Sequence, residues 1–290
     1  MNSIFTNNEH KTSIEDNGYV VLNFLNVEDI NKLKTLYNST IASQQKTGLF
    51  ESSRHNNPEM NNHINQSIQN IFSPHIQNYF KDYTFYGGTF MVKSTKDSTE
   101  FPLHQDWNIV DEKKYISLFF WAPIDVTNEE NGTIYLIEGS HKFFTNYRSG
   151  SYKSQMIERK KIPREFIKTI HLEPGQVLIY QPSIFHGSYK NNTKEDRIVI
   201  TAMITDKNAP LYNYNKKDET TAAIYKISPT SYLNDIRIIN DSKIPTSAEL
   251  IDIVPYIHPV IDYKKLNNAL TGKKHGVWKE IKTFIQFKIG

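Results

Sequence analysis

The sequence predicts a mainly β fold with flanking α elements, an antiparallel sandwich or barrel, on three observations. From residue 82 the chain breaks into short β-branched and aromatic runs: Tyr83 to Val92, Tyr115 to Trp121, Gly132 to Ile137, Thr169 to Leu172, Gln176 to Tyr180 and Arg197 to Thr205. Turn signals such as Asn131-Gly132 and Glu173-Pro174-Gly175 separate them, as in antiparallel sheet proteins. The 290 residues are 38% hydrophobic and 12% aromatic, enough to bury a substantial core as a single domain.

In chain order, GYVVLNFL (Gly18 to Leu25) reads as a strand, followed by a helix from Val27 to about Ala42. Asn26 is a plausible N-cap for that helix, Glu28 and Asp29 suit its positive first turn, and Ile30, Leu33, Leu36, Tyr37 and Ile41 recur at helical spacing. Residues 43 to 80 are rich in Asn, Gln, Ser and His and carry a weaker second helix ending near Tyr79 and Phe80. Between the third and fourth β runs, His141 to Ile170 lacks periodicity and is rich in Lys, Arg and Tyr; segments of that length in compact domains are usually functional or disordered. Beyond Asp206 the chain turns polar, with an amphipathic stretch near its end whose Val277, Trp278, Ile281 and Ile285 share a face. This gives an N-terminal strand and helices over 1–81, a β core over 82–205 and a C-terminal extension over 206–290 that packs on the core.

Composition narrows the chemistry. With no cysteine, thiolate-ligated zinc, iron–sulfur clusters and disulfides are excluded, so a metal would be held by histidine and carboxylate. The formal charge of +3 is too small to argue for nucleic acid, and no nucleic-acid-binding signature accompanies it. No stretch approaches the roughly 18 apolar residues of a membrane span, and the N-terminus lacks the pattern of a secretory signal. The expectation is a cytoplasmic protein, monomer or homodimer, acting on a small molecule, with neither nucleic acid nor membrane as partner.

The stretch FPLHQDWN places His104 and Asp106 two positions apart at a strand end, where alternate side chains point the same way. Non-haem iron(II) sites that activate oxygen take two histidines and one carboxylate on one face. His186, in QPSIFHGS, lies 82 residues beyond His104, and Arg197 follows eleven residues later. Alone, H-x-D turns up by chance in many proteins of this size and is more often two polar residues on a strand than a metal-binding pair. Together, the HQD run, the strand ending in Trp121, NGTIYLIEGSHK, GQVLIYQPSIFHGS and the arginine that follows resemble the phytanoyl-CoA dioxygenase family of iron(II)- and 2-oxoglutarate-dependent oxygenases, over roughly residues 15 to 205.

That resemblance implies a double-stranded β-helix (jelly-roll, cupin-like) core with N-terminal helices and a C-terminal helix. It implies His104, Asp106 and His186 as catalytic iron(II) ligands and Arg197 as the partner of the distal carboxylate of 2-oxoglutarate. A planar guanidinium pairs bidentately with a carboxylate and stays charged when partly buried. Ser188 matches a further cosubstrate position, and Gln105, Trp121 and Lys93, with Thr89 on the same strand as Lys93, match others more loosely. The implied reaction consumes O2 and 2-oxoglutarate, releases succinate and CO2 and hydroxylates an unactivated C–H of a small molecule, with ascorbate as a supporting reductant. Desaturation or ring closure are related outcomes; halogenation is not expected, because halogenating relatives replace the carboxylate ligand and Asp106 is intact. A cupin-like metalloenzyme that does not use 2-oxoglutarate, and a jelly-roll binding module without chemistry, are the rival readings. His141, in EGSHK, reads as a structural residue at a turn. Finally, His141 to Ile170 holds eight basic residues against two acids, which suggests an anionic substrate recognised by Arg148 and Arg159, beside the alternative of a solvated loop.

Overall fold

The computed structural model describes residues 4–54, 57–153, 155–229 and 243–274. The first helix, α1 (Asn8–Asn17), is not anticipated by the sequence reading: it is polar, buries only Ile14, and is held by an Asn7 cap and a left-handed Gly18. After β1 (Tyr19–Asn23), α2 (Val27–Thr40) starts as expected at Asn26, which forms a full capping box with Asp29. The second expected helix is longer than its polar composition suggests. After β2 (Leu49–Glu51), α3 (Pro58–Tyr79) opens with proline in its first turn and buries Ile64, Ile68, Phe72 and Ile76 along one stripe.

The strands that follow are β3 (Tyr83–Lys93), β4 (Phe101–His104), β5 (Ser117–Pro123), β6 (Ile134–Leu136), β7 (Lys168–Thr169), β8 (Gln176–Tyr180), β9 (His186–Ser188) and β10 (Arg197–Asp206). They form a larger sheet in the order β1-β8-β5-β10-β3-β2 and a smaller one in the order β4-β9-β6-β7, all pairs antiparallel. The expected strand Thr169 to Leu172 shrinks to β7, with Leu172 reduced to an isolated bridge to Thr127.

Period-2 alternation explains the layering. Val177, Ile179, Phe120, Ala122, Phe90 and Ile200 face α2 and α3, whereas Leu178, Tyr180, Trp121 and Val199 face inward toward Ile134 and Leu136 of the smaller sheet. The helices therefore cover one face of the larger sheet, and the space between the sheets is left for the site. Burying a residue such as Phe72 or Phe120 contributes about 3–5 kcal/mol against its alanine variant.

The stretch beyond Asp206, read from sequence as a polar extension, contains a third antiparallel sheet: β11 (Leu211–Lys216), β12 (Thr221–Ile227) and β13 (Glu249–Pro255). Then α4 (Tyr263–Lys274) lays Leu266 and Leu270 beside Leu103, Tyr135 and Phe185 on the outside of the smaller sheet. The expected C-terminal amphipathic face of Val277, Trp278, Ile281 and Ile285 lies outside the described residues. The long basic segment 141–170 forms only short 3-10 helices before β7. No described helix is long and apolar enough to cross a membrane.

Candidate metal centre and cosubstrate cavity

The β4–β9 pairing builds the centre. His104 and His186 are direct partners across the two strands, and Asp106 follows just past the end of β4. Gly187 makes that pairing possible, since a Cβ there would lie 2.4 Å from the Phe101 carbonyl oxygen and 2.6 Å from the Tyr135 hydroxyl. Ligand atoms of His104, Asp106 and His186 all fall within 4.8 Å of one another. The Nε2 atoms of His104 and His186 lie 3.5 and 3.4 Å from the two Asp106 carboxylate oxygens.

The tautomers fit a metal. Nδ1 of His104 donates to the Pro102 carbonyl at 2.9 Å, and Nδ1 of His186 donates to the Ile184 carbonyl at 3.0 Å. Each ring proton is thereby fixed on Nδ1, and each Nε2 lone pair is turned toward the shared space. Burial, only partly offset by Asp106, lowers the His186 pKa to about 4, so the ring is neutral at physiological pH, as a ligand must be. Burial opposes ionisation of Asp106, but the two imidazoles and the Tyr180 phenol outweigh it and hold the carboxyl well below the usual carboxylate range. Tyr180 donates its hydroxyl to Asp106 Oδ2 at 3.0 Å, and its own pKa is driven up by burial and then by Asp106, so it remains a proton donor. Sequence reasoning missed Tyr180, which sits at the end of an apolar run and reads as core; its inward parity with Leu178 on β8 was the available signal.

The second half of the site comes from β10 and β3, where Arg197 pairs directly with Lys93. Arg197 is 4% exposed, its guanidinium lies 5.1 Å from the Trp121 ring centroid, and its Nε and Nη1 find no hydrogen-bond acceptor among the described residues. Burial lowers its pKa to about 9. Lys93 is 1% exposed, and burial followed by the Arg197 charge brings it down to about 7. Its Nζ donates to the Ser188 hydroxyl at 2.7 Å and to the carbonyls of Ser188 and Tyr189. Among the described residues neither cation forms an ion pair. Buried charge left uncompensated costs several kcal/mol, so the pair is suited to an anion, and a carboxylate meets the orphaned Nε and Nη1 in the geometry guanidinium favours.

His104, Asp106, His186, Tyr180 and Arg197 line one cavity of about 480 Å³ with Gln105, Trp121, Ser188 and Thr89, whereas Lys93 does not line it and reaches it only through its bond to Ser188. Gln105 lines it while spending its amide N–H groups on the Ser183 and Phe144 carbonyls. Thr89 is tied to Ser52 and Ser53. The rest of the lining combines apolar side chains, among them Met91, Trp107, Ile109, Phe119 and Met203, with a polar group of Ser53, Asn61, Asn62 and Asn65 and the Glu51–Arg54 ion pair.

The two arginines expected to meet substrate do not reach this cavity. Arg148 is 5% exposed and engaged by Glu112 at 2.6 Å and by the carbonyls of Asp106 and Asn146. Arg159 pairs with Glu100 and stacks over Tyr189, lining a different cleft on the outside of the smaller sheet. The net charge of the segment misled because both cations have acidic partners more than 30 residues away in sequence. His141 is buried at the turn, its Nε2 within 3.1 Å of the Glu15 carbonyl, away from the centre.

No curated protein matches the chain in sequence. Among solved structures it is similar to AviO1 from Streptomyces viridochromogenes Tue57, at 14% identity over 72% of this chain and 99% of that one, with a TM-score of 0.50. It is also similar to the non-haem alpha-ketoglutarate-dependent epimerase SnoN from nogalamycin biosynthesis, at 14% identity over 88% and 96% of the two chains, with a TM-score of 0.51. At such identities the likeness carries the jelly-roll fold alone. The sequence model of the phytanoyl-CoA dioxygenase family matches residues 15–199, most of the chain and every strand that builds the centre, and the chain therefore belongs to that family of iron(II)- and 2-oxoglutarate-dependent enzymes.

Proposed function

We propose that this protein is an oxygenase that hydroxylates an unactivated C–H of a small molecule, with His104, Asp106 and His186 as iron(II) ligands and Arg197 as the anchor of 2-oxoglutarate. The observation that carries the reading is the juxtaposition of two opposite needs in one cavity: three side chains with lone pairs converging, and beside them a buried guanidinium with donors unsatisfied. The first arrangement suits a divalent cation and the second a dicarboxylate, and 2-oxoglutarate joins the two. A metalloenzyme indifferent to 2-oxoglutarate leaves the cost of burying Arg197 without an offset.

Iron, when bound, supplies the redox chemistry that couples decarboxylation of 2-oxoglutarate to succinate and CO2 with oxidation of the substrate. The chain's own groups do the rest. The Pro102 and Ile184 carbonyls keep both imidazoles in the ligating tautomer. Tyr180 holds one Asp106 oxygen by donating a hydrogen bond to it, which leaves the other oxygen the better donor to a metal. Lys93 fixes Ser188 beside Arg197 and adds positive charge for the cosubstrate. Trp121, Phe119 and Met91 keep the inner cavity apolar, and exclusion of water strengthens each of these electrostatic contacts. The amide and hydroxyl groups of Ser53, Asn61, Asn62 and Asn65 offer a hydrogen-bonding wall to the substrate.

Anaerobic titration tests the reading: the protein with iron(II) and 2-oxoglutarate together should develop a metal-to-ligand charge-transfer band absent with either alone. A band that does not require 2-oxoglutarate, or no band with both bound, would overturn it. Mass spectrometry of metabolites incubated with enzyme, iron(II) and 2-oxoglutarate, searching for the gain of one oxygen, then separates hydroxylation from desaturation or ring closure.

A further inference from the structure

We propose that Arg148 is a positioning residue for Asp106, and that the β11–β13 sheet, which lies beyond the family-matched residues, serves to hold the Arg148 segment in place. The inference rests on the reading of Asp106 as a metal ligand.

Strand β4 ends at His104, so Asp106 has no sheet ladder to orient it. Both of its backbone polar groups are instead fixed by distant elements. Its N–H donates to the Pro182 carbonyl at 2.9 Å, and its own carbonyl accepts from Arg148 Nε at 2.6 Å. Clamping the peptide units on both sides of Cα fixes the direction of the Cα–Cβ bond, and so where the carboxylate points. The Arg148 contact is charge-assisted and therefore stronger than a hydrogen bond between neutral groups. It is also braced: Nη1 donates to the Asn146 carbonyl at 3.0 Å, Nη2 to Glu112 at 2.6 Å, and the Arg148 N–H to Asn108 Oδ1 at 2.7 Å. Asn108 returns a bond from its own N–H to the Arg148 carbonyl at 3.2 Å. One guanidinium thus spans the segment from Asp106 to Glu112, which includes Trp107, a cavity wall.

The residues flanking Arg148 are gripped by the third sheet. The Tyr147 ring stacks on Tyr214 at 4.3 Å and lies 4.4 Å from Tyr256, and the Tyr147 N–H donates to the Tyr256 hydroxyl oxygen at 2.9 Å. Ser149 donates its hydroxyl to the Tyr214 carbonyl. From the other side, the Tyr212 N–H donates to the Ile109 carbonyl at 2.7 Å. The sheet therefore holds both ends of the clamp, the Arg148 loop and the segment following Asp106, and neither end belongs to a regular strand or helix.

Cobalt(II), which reports its coordination through visible absorption, is the probe. Wild-type apoprotein and the variants Arg148→Met, Arg148→Lys, Glu112→Gln and Tyr256→Phe are titrated with it, and each is melted without metal. Loss of a residue that orients a ligand typically costs about 10–100-fold in metal affinity, and that loss, with an altered cobalt spectrum, is expected of Arg148→Met. Arg148→Lys keeps the charge without the fork and should recover only part of the affinity. Glu112→Gln and Tyr256→Phe should weaken cobalt in the same direction by a smaller factor, and they carry the test if Arg148→Met does not fold. Wild-type affinity and spectrum in the variants, with only the melting temperature lowered, would overturn the proposal by making Arg148 a fold-holding residue. Failure of the wild type to bind cobalt, or undiminished binding by His186→Ala, would instead overturn the metal reading on which it rests.

Discussion

Arg197 and Lys93 on one side, and Arg148 and Arg159 on the other, are four cations of one molecule with opposite standing. The first two are buried, as Arg148 also is, but no described carboxylate pairs with them. The second two come from the most basic stretch of the sequence, yet Glu112 and Glu100 take them up. Availability for an anionic ligand therefore follows from the partners a charge lacks in the fold, and local charge density in the sequence says little about it. A partly exposed pair such as Arg159–Glu100 contributes little, whereas Arg148 is buried with its charge already met by Glu112. A buried guanidinium with idle donors costs stability until something fills them, and that cost marks a site.

The comparison is broken most severely at the centre beside Arg197. His186→Ala should abolish metal-dependent succinate formation, because two remaining ligands do not hold a divalent ion securely; iron titration and succinate release measure it, and near-wild-type turnover would refute the assignment. Next in size, Arg197→Ala should raise the KM for 2-oxoglutarate. Losing one partner of a desolvated charge pair costs about 2–5 kcal/mol, or from about 30-fold to several thousand-fold. The same variant should leave the ligand-free protein no less stable, since it removes an uncompensated buried charge. An unchanged KM would move the cosubstrate anchor elsewhere, with Lys93 the next candidate.

Lys93 sharpens the comparison through pH. Its pKa falls from 10.5 in the unfolded chain to about 7 in the fold, through burial first and the Arg197 charge second. Between those values the unfolded chain binds a proton that the folded one does not, so this group makes stability rise with pH across that window. The penalty is fully present below pH 7 and gone above pH 10.5. Denaturant unfolding of the ligand-free protein between pH 7 and 10 should show that rise, and Lys93→Met should flatten it, although the variant starts lower because the Ser188 and Tyr189 carbonyls lose their donor. A slope that survives in Lys93→Met would assign it to another group.

Much of this architecture was legible because local signals and tertiary roles coincide. Asn26 and Asp29 specify the start of α2 by capping, and the β-branched, apolar runs QVLIY and RIVITAMIT mark β8 and β10 as strands. His104 at the end of β4, His186 at the start of β9 and Arg197 at the start of β10 stand where the run of strand-like segments in the sequence leads one to expect them. What stayed hidden depends on pairings without a local signature. The edge strand β13 exposes Leu250, Ile251 and Ile253 together, so no alternation betrays it, and α1 buries a single residue. Arg148 meets Asp106 across 42 residues, and both stand in loops outside the strands, where sequence spacing carries no register.

The smallest expected effect belongs to Arg159, and it separates the two kinds of cation most economically. Its Nε lies 3.2 Å from Glu100, both side chains are about one-third exposed, and its guanidinium stacks 4.7 Å from the Tyr189 centroid. A pair of that exposure contributes about 0–1 kcal/mol and the stacking about as much again, so Arg159→Ala should lower Tm by a few degrees at most, roughly 2–4 °C per kcal/mol for a domain of this size. Tyr135 continues to donate its hydroxyl to Glu100 at 2.9 Å, which limits the disturbance. Because Arg159 lines the outer cleft, and Tyr189 stands between it and Lys93 with its ring outward and its carbonyl inward, the KM for 2-oxoglutarate should stay within about twofold of wild type, less than 1 kcal/mol. Steady-state turnover at two ionic strengths measures it. A tenfold rise in that KM, or a salt-sensitive loss of turnover confined to Arg159→Ala, would return the basic segment to the active site and erase the distinction drawn between the paired and the unpaired cations.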